Sequence, residues 1–368
     1  MGKFIKSIID RNGYIDTSAI YEPDVNIYFI LGQRADGKTY GFLHDAIDVY
    51  LKTGTPSAYV RRFDESLKKY MIQDLCKPHG QFINKNSHNM WNDTAFKSKR
   101  FFMTSFEHDS IQYDENPFLY CYSLNTWENS KGPDSGEFYS LIFDECVSAS
   151  KYLPNEYTAY ENLLSTILRT RKNTRIILLG NPVNQICPYF DEYGIDVHKM
   201  KPGDICYRIN SDGDKLKFVF VPPVTGRKTA SIFKFRESSS ITTGYWEFGN
   251  VPHVPGGLIK NATFAGKFNI IFKKQFAVCE FYVYNGVLFA FWRPGNGDKI
   301  IDDRETPTFS DMHIFQMNVY TAWNSINEIG RTYGEIVKAN RQYFADNKTG
   351  NLVKMWYSEF VNKAGRFI

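Results

Sequence analysis

The run Ile27-Tyr28-Phe29-Ile30-Leu31-Gly32-Gln33-Arg34-Ala35-Asp36-Gly37-Lys38-Thr39 decides the fold. Its apolar opening has the length of a buried strand, and glycine ends it abruptly. Beyond it Phe42, Leu43, Ala46, Ile47, Tyr50 and Leu51 recur at helical spacing until Gly54 stops the pattern. The order is strand, glycine loop, helix. Gly32-x-x-x-x-Gly37-Lys38-Thr39 is a complete P-loop pattern in the context its chemistry needs. The glycines let backbone N–H groups curl round phosphates, and the helix N-terminus adds positive dipole there. Expected nucleotide contacts are Gly32, Gln33, Arg34, Ala35, Asp36, Gly37, Lys38 and Thr39. Lys38 is expected to reach the β- and γ-phosphates of ATP, and the Thr39 hydroxyl to ligate Mg²⁺.

Such a loop needs a carboxylate at the end of another buried strand to hold the metal. Phe138-Tyr139-Ser140-Leu141-Ile142-Phe143 runs straight into Asp144-Glu145. Asp144 fits the metal side, and Glu145 fits the base that polarises attacking water. A third apolar strand, 175–179, ends in Gly180-Asn181-Pro182. There the Asn181 amide either senses the γ-phosphate or simply makes an Asn-Pro turn. A helix is expected from an Asn155 N-cap, with Leu163, Leu164, Ile167 and Leu168 as its buried stripe. It ends in Arg169-Thr170-Arg171-Lys172. Those cations either complement the helix dipole or project an arginine into a neighbouring nucleotide site.

Further apolar runs at 58–60 and 118–122 alternate with helical stretches, the rhythm of a mostly parallel α/β sheet. From Lys201 to Lys260 the chain turns rich in Pro, Gly, Ser and Thr. Beyond, runs at 276–284 and 287–292 flank Asn285-Gly286, a strong signal for a tight hairpin. A helical pattern follows over 319–344. The expected organisation is a P-loop ATPase domain at 1–200, a linker subdomain at 201–260 and a small α+β domain at 261–368.

Composition excludes several classes. Of the 368 residues 43% are hydrophobic and 23% charged, so the chain can bury a core and is not chiefly disordered. Six scattered cysteines and seven dispersed histidines show neither disulfide nor zinc spacing, which points to a reducing compartment. No window approaches the roughly 18 apolar residues of a membrane span, so a soluble, intracellular protein without membrane contact is expected. A net charge of +4 announces no nucleic acid, yet residues 61–100 carry nine Lys/Arg against four Asp/Glu. Arg61, Arg62, Lys97, Lys99 and Arg100, interleaved with Phe63, Tyr70, Phe96 and Phe101, suit phosphate-backbone contact; a solvated basic face is the alternative.

Collectively the motifs resemble those of the phi29-type bacteriophage DNA-packaging ATPases, terminase-like encapsidation motors. The resemblance rests on Gly32-Gln33-Arg34, Ala58-Tyr59-Val60-Arg61-Arg62, Ile142-Phe143-Asp144-Glu145 and Tyr152-Leu153-Pro154-Asn155-Glu156. It continues through Leu168-Arg169-Thr170-Arg171, Gly180-Asn181-Pro182-Val183 and Pro188-Tyr189-Phe190, and thins beyond residue 200 to Val283-Tyr284-Asn285-Gly286. It implies a P-loop NTPase of the additional-strand, conserved-glutamate type working as a homomeric ring, a pentamer, at the portal vertex. Lys38, Thr39, Asp144 and Glu145 are then catalytic, and Arg169 matches the finger that acts on a neighbour. Double-stranded DNA is the cargo, portal (connector) and procapsid are partners, and some members bind a packaging RNA. The implied location is the host cytoplasm and, transiently, the procapsid.

The C-terminal unit resembles an inactive RNase H-like domain. Nuclease activity would need acids converging on two metals about 3.5–4 Å apart. Of Glu280, Asp302, Asp303, Glu305 and Asp311 only Glu280 falls within a strand, so a binding and assembly module is expected. Competing readings are another P-loop NTPase acting on nucleic acid, such as a helicase, a nucleotide kinase, or a scaffold with a decayed site. The intact Lys38, Thr39, Asp144 and Glu145 oppose the last.

Overall fold

A computed structural model describes residues 8–9, 14–107, 110–129, 137–148, 152–168, 173–185, 187–197, 200–222, 251–254, 257–311, 319–320 and 327–363. The chain divides near residue 248 into two compact units. In the first, among the described residues, the strands are β1 (Ile27–Leu31), β2 (Ser57–Arg61), β3 (Asp93–Lys97), β4 (Arg100–Glu107) and β5 (Ser110–Tyr113). They continue with β6 (Leu119–Ser123), β7 (Ser140–Asp144), β8 (Arg175–Gly180), β9 (Ile205–Ile209) and β10 (Lys215–Phe220). Their order is β3-β4-β6-β2-β7-β8-β1-β10-β9, with β5 on β4. The six central strands from β6 to β10 pair in parallel.

Two buried faces explain the continuous apolar runs. Tyr28 and Ile30 of β1, with Tyr59, Ile142 and Ile177, pack on Phe42, Leu43, Ala46 and Ile47 of α1 (Lys38–Thr53). Phe29 and Leu31 face the other way, with Val60, Phe143 and Leu178. They meet Tyr160, Leu163 and Ile167 of α4 (Glu156–Leu168) and Tyr189 and Phe190 of α5 (Pro188–Glu192). The shorter α2 (Lys69–Ile72) and α3 (Gly80–Asn86) add Ile72 and Ile83 to the α1 face. A strand covered on both sides cannot alternate polar and apolar residues, so its period-2 signal disappears. β8 lies between the P-loop strand β1 and the acid-bearing β7, which is the inserted strand an additional-strand NTPase requires. Parallel strands place all their C-terminal ends on one edge, and the functional loops collect there.

The expected boundary at residue 200 is corrected. β10 runs parallel to β1 with Phe29 opposite Phe218, so residues 205–220 belong to the first sheet rather than to a linker. Leu216, Phe218 and Phe220 are buried there, and residues 223–250 of the expected linker lie outside the described residues.

The second unit has its own sheet, made of β11 (Thr263–Phe272), β12 (Gln275–Tyr284), β13 (Val287–Pro294), β14 (Thr308–Ser310), β15 (Val319–Tyr320) and β16 (Gln342–Phe344). The order is β15-β14-β11-β12-β13-β16, antiparallel across β11-β12-β13 and parallel elsewhere. Asn285 and Gly286 turn the β12–β13 hairpin with φ of 49° and 74°, the paired positive values of its favoured turn. The helical pattern expected over 319–344 is only partly realised. Helix occupies Asn327–Lys338, α7 after the short α6 (Gly297–Asp302), whereas β15 and β16 pair into the sheet. The last helix, α8 (Asn347–Lys363), brings Trp356 against Trp292, Phe268, Phe309 and Tyr333. The high aromatic content is thus partly a core of tilted and edge-to-face rings.

Two of the candidate acids of this unit, Glu280 and Asp303, are engaged by neighbouring side chains. Glu280 accepts from Arg293 Nε at 2.7 Å and from the Tyr282 hydroxyl. Asp303 accepts from Thr306 and Lys267, which hold its carboxyl down at about 2. Among the described residues no three His, Cys, Asp or Glu side chains gather as metal ligands.

Candidate nucleotide-binding site

At the C-terminal edge of the first sheet the loop 32–37 leads into α1. Gly37 has φ of +85°, a left-handed conformation that a side chain would strain, and it caps the helix without a side-chain acceptor. In the first turn the Lys38 N–H goes to Asp36 Oδ1, and the Thr39 and Tyr40 N–H groups stay available for an anion. Beside them opens a cavity of about 460 Å³ lined by Arg34 to Tyr40, Asp144, Glu145, Leu179, Gly180 and Asn181.

Lys38 Nζ donates to Gly32 O at 2.9 Å, Gln33 O at 2.7 Å, Asp36 Oδ1 at 3.0 Å and Asn181 Oδ1 at 3.0 Å. Only 7% of the residue is exposed, and burial of an ammonium requires such partners. Phosphate oxygens are the same kind of acceptor, so a triphosphate can take their place. Asn181, left open between sensor and turn by sequence, is on the P-loop lysine. Asp36 is a buried carboxylate within the loop itself, 1% exposed, and its Oδ1 also accepts the Lys38 N–H. The Gln33 Oε1 is buried without a partner among the described residues.

The acids converge on the same cavity. Thr39 Oγ1 lies 3.2 Å from both carboxylate oxygens of Asp144, across 105 residues of chain. A hydroxyl and a carboxylate in contact form a hard oxygen donor set of the kind that suits Mg²⁺. The buried Tyr59 hydroxyl donates to Asp144 Oδ2 at 2.7 Å; burial and the Asp144 charge push its ionisation well above the ordinary range. Glu145, the more exposed acid, pairs with Arg61 Nη2, while Arg61 Nη1 reaches Asp144 at 3.4 Å. Burial opposes the Arg61 charge, but Tyr59, Asp144 and Glu145 more than offset it, and the guanidinium stays charged. The parallel register, with Val60 opposite Phe143, sets Arg61 beside Asp144.

This corrects the expected DNA-facing set. Arg61 belongs to the acid pair. Arg62 is 7% exposed, with Nε on both oxygens of Glu156 at 3.0 and 2.8 Å and its other nitrogens on backbone carbonyls. A buried, fully engaged guanidinium has nothing to offer a phosphate. Lys97, Lys99 and Arg100 instead cluster at the β3–β4 turn, where Ser98 and Lys99 have φ of 51° and 57°. Lys97 is exposed there, Lys99 pairs with Asp64, and the Arg100 guanidinium sits 5.3 Å from the Tyr120 ring centre. Arg169 lies outside the described residues.

With this geometry in hand, the sequence matches the family Podovirus DNA encapsidation protein (Gp16) over residues 9–201. The chain belongs to that family. Its curated relatives include the DNA packaging proteins of Bacillus phage B103, 30% identical over 177 residues, and of Bacillus phage phi29, 27% identical over 196 residues. These alignments cover 46% and 50% of this chain, and 49% and 54% of the relatives. The chain thus spans about half the length of the curated relatives it matches. Two solved structures share the fold at 17% identity. The Phi-28 gp11 DNA packaging motor gives a TM-score of 0.51, covering 98% of this chain and 100% of that chain. The bacteriophage Phi-29 viral genome packaging motor assembly gives 0.57, covering 95% and 99%.

Sequence reasoning missed where three residues beside this site are placed. Tyr59 and Arg61 alternate on one face of β2 with period 2, a signal that becomes readable only once β2 is known to neighbour β7. Glu156 stands within a quoted motif, but its partner Arg62 is 94 residues away.

Proposed function

We propose that the chain is an ATP-hydrolysing motor that drives double-stranded viral DNA into a procapsid. The observation that carries it is the meeting of Lys38, Thr39, Asp144 and Glu145 at one cavity in a chain of the encapsidation family. That family membership favours packaging over the helicase reading. Lys38 exchanges its internal acceptors for β- and γ-phosphate oxygens. Thr39 and Asp144 would hold Mg²⁺, which when bound neutralises charge on those phosphates. Glu145 orients the attacking water and takes its proton once the ion pair with Arg61 opens. Arg169 acts on the nucleotide of the next subunit in a homomeric ring of five. Lys97, Lys99 and Arg100 touch DNA phosphates, and the portal, the procapsid and a packaging RNA complete the assembly in the host cytoplasm.

The test is ATP hydrolysis by assembled rings with and without double-stranded DNA. Glu145→Gln should keep ATP binding and lose turnover by at least about a hundredfold, the scale of a general base. Lys38→Ala should weaken ATP binding itself. Rings mixing Arg169→Ala with Glu145→Gln subunits should regain hydrolysis, because intact copies of both residues then meet at some interfaces. Wild-type turnover in Glu145→Gln, or a rate indifferent to DNA, would sink the proposal.

A further inference from the structure

Glu145 stands in an unfavourable backbone conformation. Its φ is +58°, in the left-handed region where a residue with a Cβ pays a steric cost. Some contact must hold it there. Asp144 Oδ1 accepts the Glu145 N–H at 3.0 Å, and the Cys146 N–H donates to Leu179 O at 2.9 Å. On the carbonyl side both bonds come from one side chain. Arg62 Nη1 donates to Glu145 O at 3.1 Å and Nη2 to Cys146 O at 2.6 Å.

Arg62 is itself held rigidly. Its Nε meets both oxygens of Glu156, which is 3% exposed. The Tyr189 hydroxyl and the Leu153 N–H, at 2.9 and 2.8 Å, complete that carboxylate. The Tyr152 ring centre lies 4.9 Å from the guanidinium carbon. Burial works against the Arg62 charge, and Glu156 more than restores it. A buried ion pair is weak evidence for stability, since an apolar pair of similar volume often serves as well. What an apolar pair cannot do is grip two successive carbonyls. A planar fork with several fixed donors does this, and a single ammonium does not.

We propose that Arg62, oriented by Glu156, is a positioning residue for hydrolysis: it pins the 145–146 carbonyls and so keeps the Glu145 carboxylate aimed into the nucleotide cavity. Arg62 does not line that cavity and acts only through Glu145. The proposal rests on Glu145 being the base.

The experiment measures ATP affinity and single-turnover hydrolysis in full-length Arg62→Lys and in the charge-free pair Arg62→Met with Glu156→Gln. The pair leaves no unpaired buried charge; the amide introduced by Glu156→Gln can accept the Leu153 N–H with its oxygen and donate its NH₂ to the Tyr189 hydroxyl oxygen. Both are expected to bind ATP within threefold of the parent and to hydrolyse it at least tenfold more slowly. Added to Glu145→Gln, neither should slow the residual rate further, since the residue they act through is already disabled. A merely structural pair would not show that dependence. Parental hydrolysis in either folded variant overturns the proposal. So does a loss of ATP affinity in step with hydrolysis, which would reduce the pair to holding the fold together. If Glu145→Gln alone hydrolyses normally, it is the assignment of the base that fails.

Discussion

Two basic clusters drawn from one stretch of sequence meet opposite fates. Arg61-Arg62 closes a parallel strand buried on both faces, where every polar group must find a partner. The partners within reach are Asp144, Glu145 and Glu156, so both arginines turn inward. Lys97, Lys99 and Arg100 occupy an antiparallel turn between β3 and β4, one strand removed from β2 in the same sheet. Long cationic side chains there keep their heads in water, and an exposed pair such as Lys99–Asp64 contributes little. Both clusters are cationic and lie within forty residues of one another. What differs is whether the strand end is surrounded by protein, and that decides between a site component and a surface.

The largest effect that would sharpen this contrast is on stability. Arg62→Ala strands the Glu156 carboxylate in the core and should cost about 3–5 kcal/mol, whereas Lys99→Ala should stay within about 0.5 kcal/mol. Denaturant titration reads both, and equal costs would break the comparison.

A second expectation extends the rule to His79, 1% exposed and in contact with His44 at 3.4 Å. Burial first, and then the neighbouring His44, lowers its pKa to about 4. The unfolded chain therefore binds a proton in a window where the folded chain refuses one. The resulting stability is present in full above about pH 6.5 and is lost as pH falls toward 4, on the order of 3 kcal/mol. His79→Gln should flatten that limb in melts taken from pH 7 to 4. An unaltered profile would show that burial does not govern this group.

The smallest effects separate the two clusters by function. Arg61→Gln should alter ATP turnover by about tenfold, a shift of about 1.4 kcal/mol, and leave the salt dependence of DNA binding alone. Reversing Lys97, Lys99 and Arg100 to Glu should do the converse, flattening the logarithmic salt slope by about 2–3 with basal turnover retained. If both variants moved both readouts, the clusters would form one surface after all.

Much of this protein follows from sequence alone. The P-loop, its strand and its helix were legible because a short apolar run, a glycine loop and a 3.6-residue period are local signals. Asp144-Glu145 was legible for the same reason, an apolar strand ending in acid, and the Asn285-Gly286 hairpin because two adjacent residues encode that turn. Tertiary structure decided the rest. Strand β10 hid in polar flanking texture because its membership depends on pairing with β1, nearly two hundred residues earlier. The direction of Arg61 and Arg62 depends on β7 lying next to β2 and on α4 presenting Glu156, neither of which leaves a mark in residues 57–62. Sequence specifies which groups can ionise and which segments must be buried; only packing sets the distances between groups far apart in the chain, and Coulomb and hydrogen-bond energies are decided at those distances.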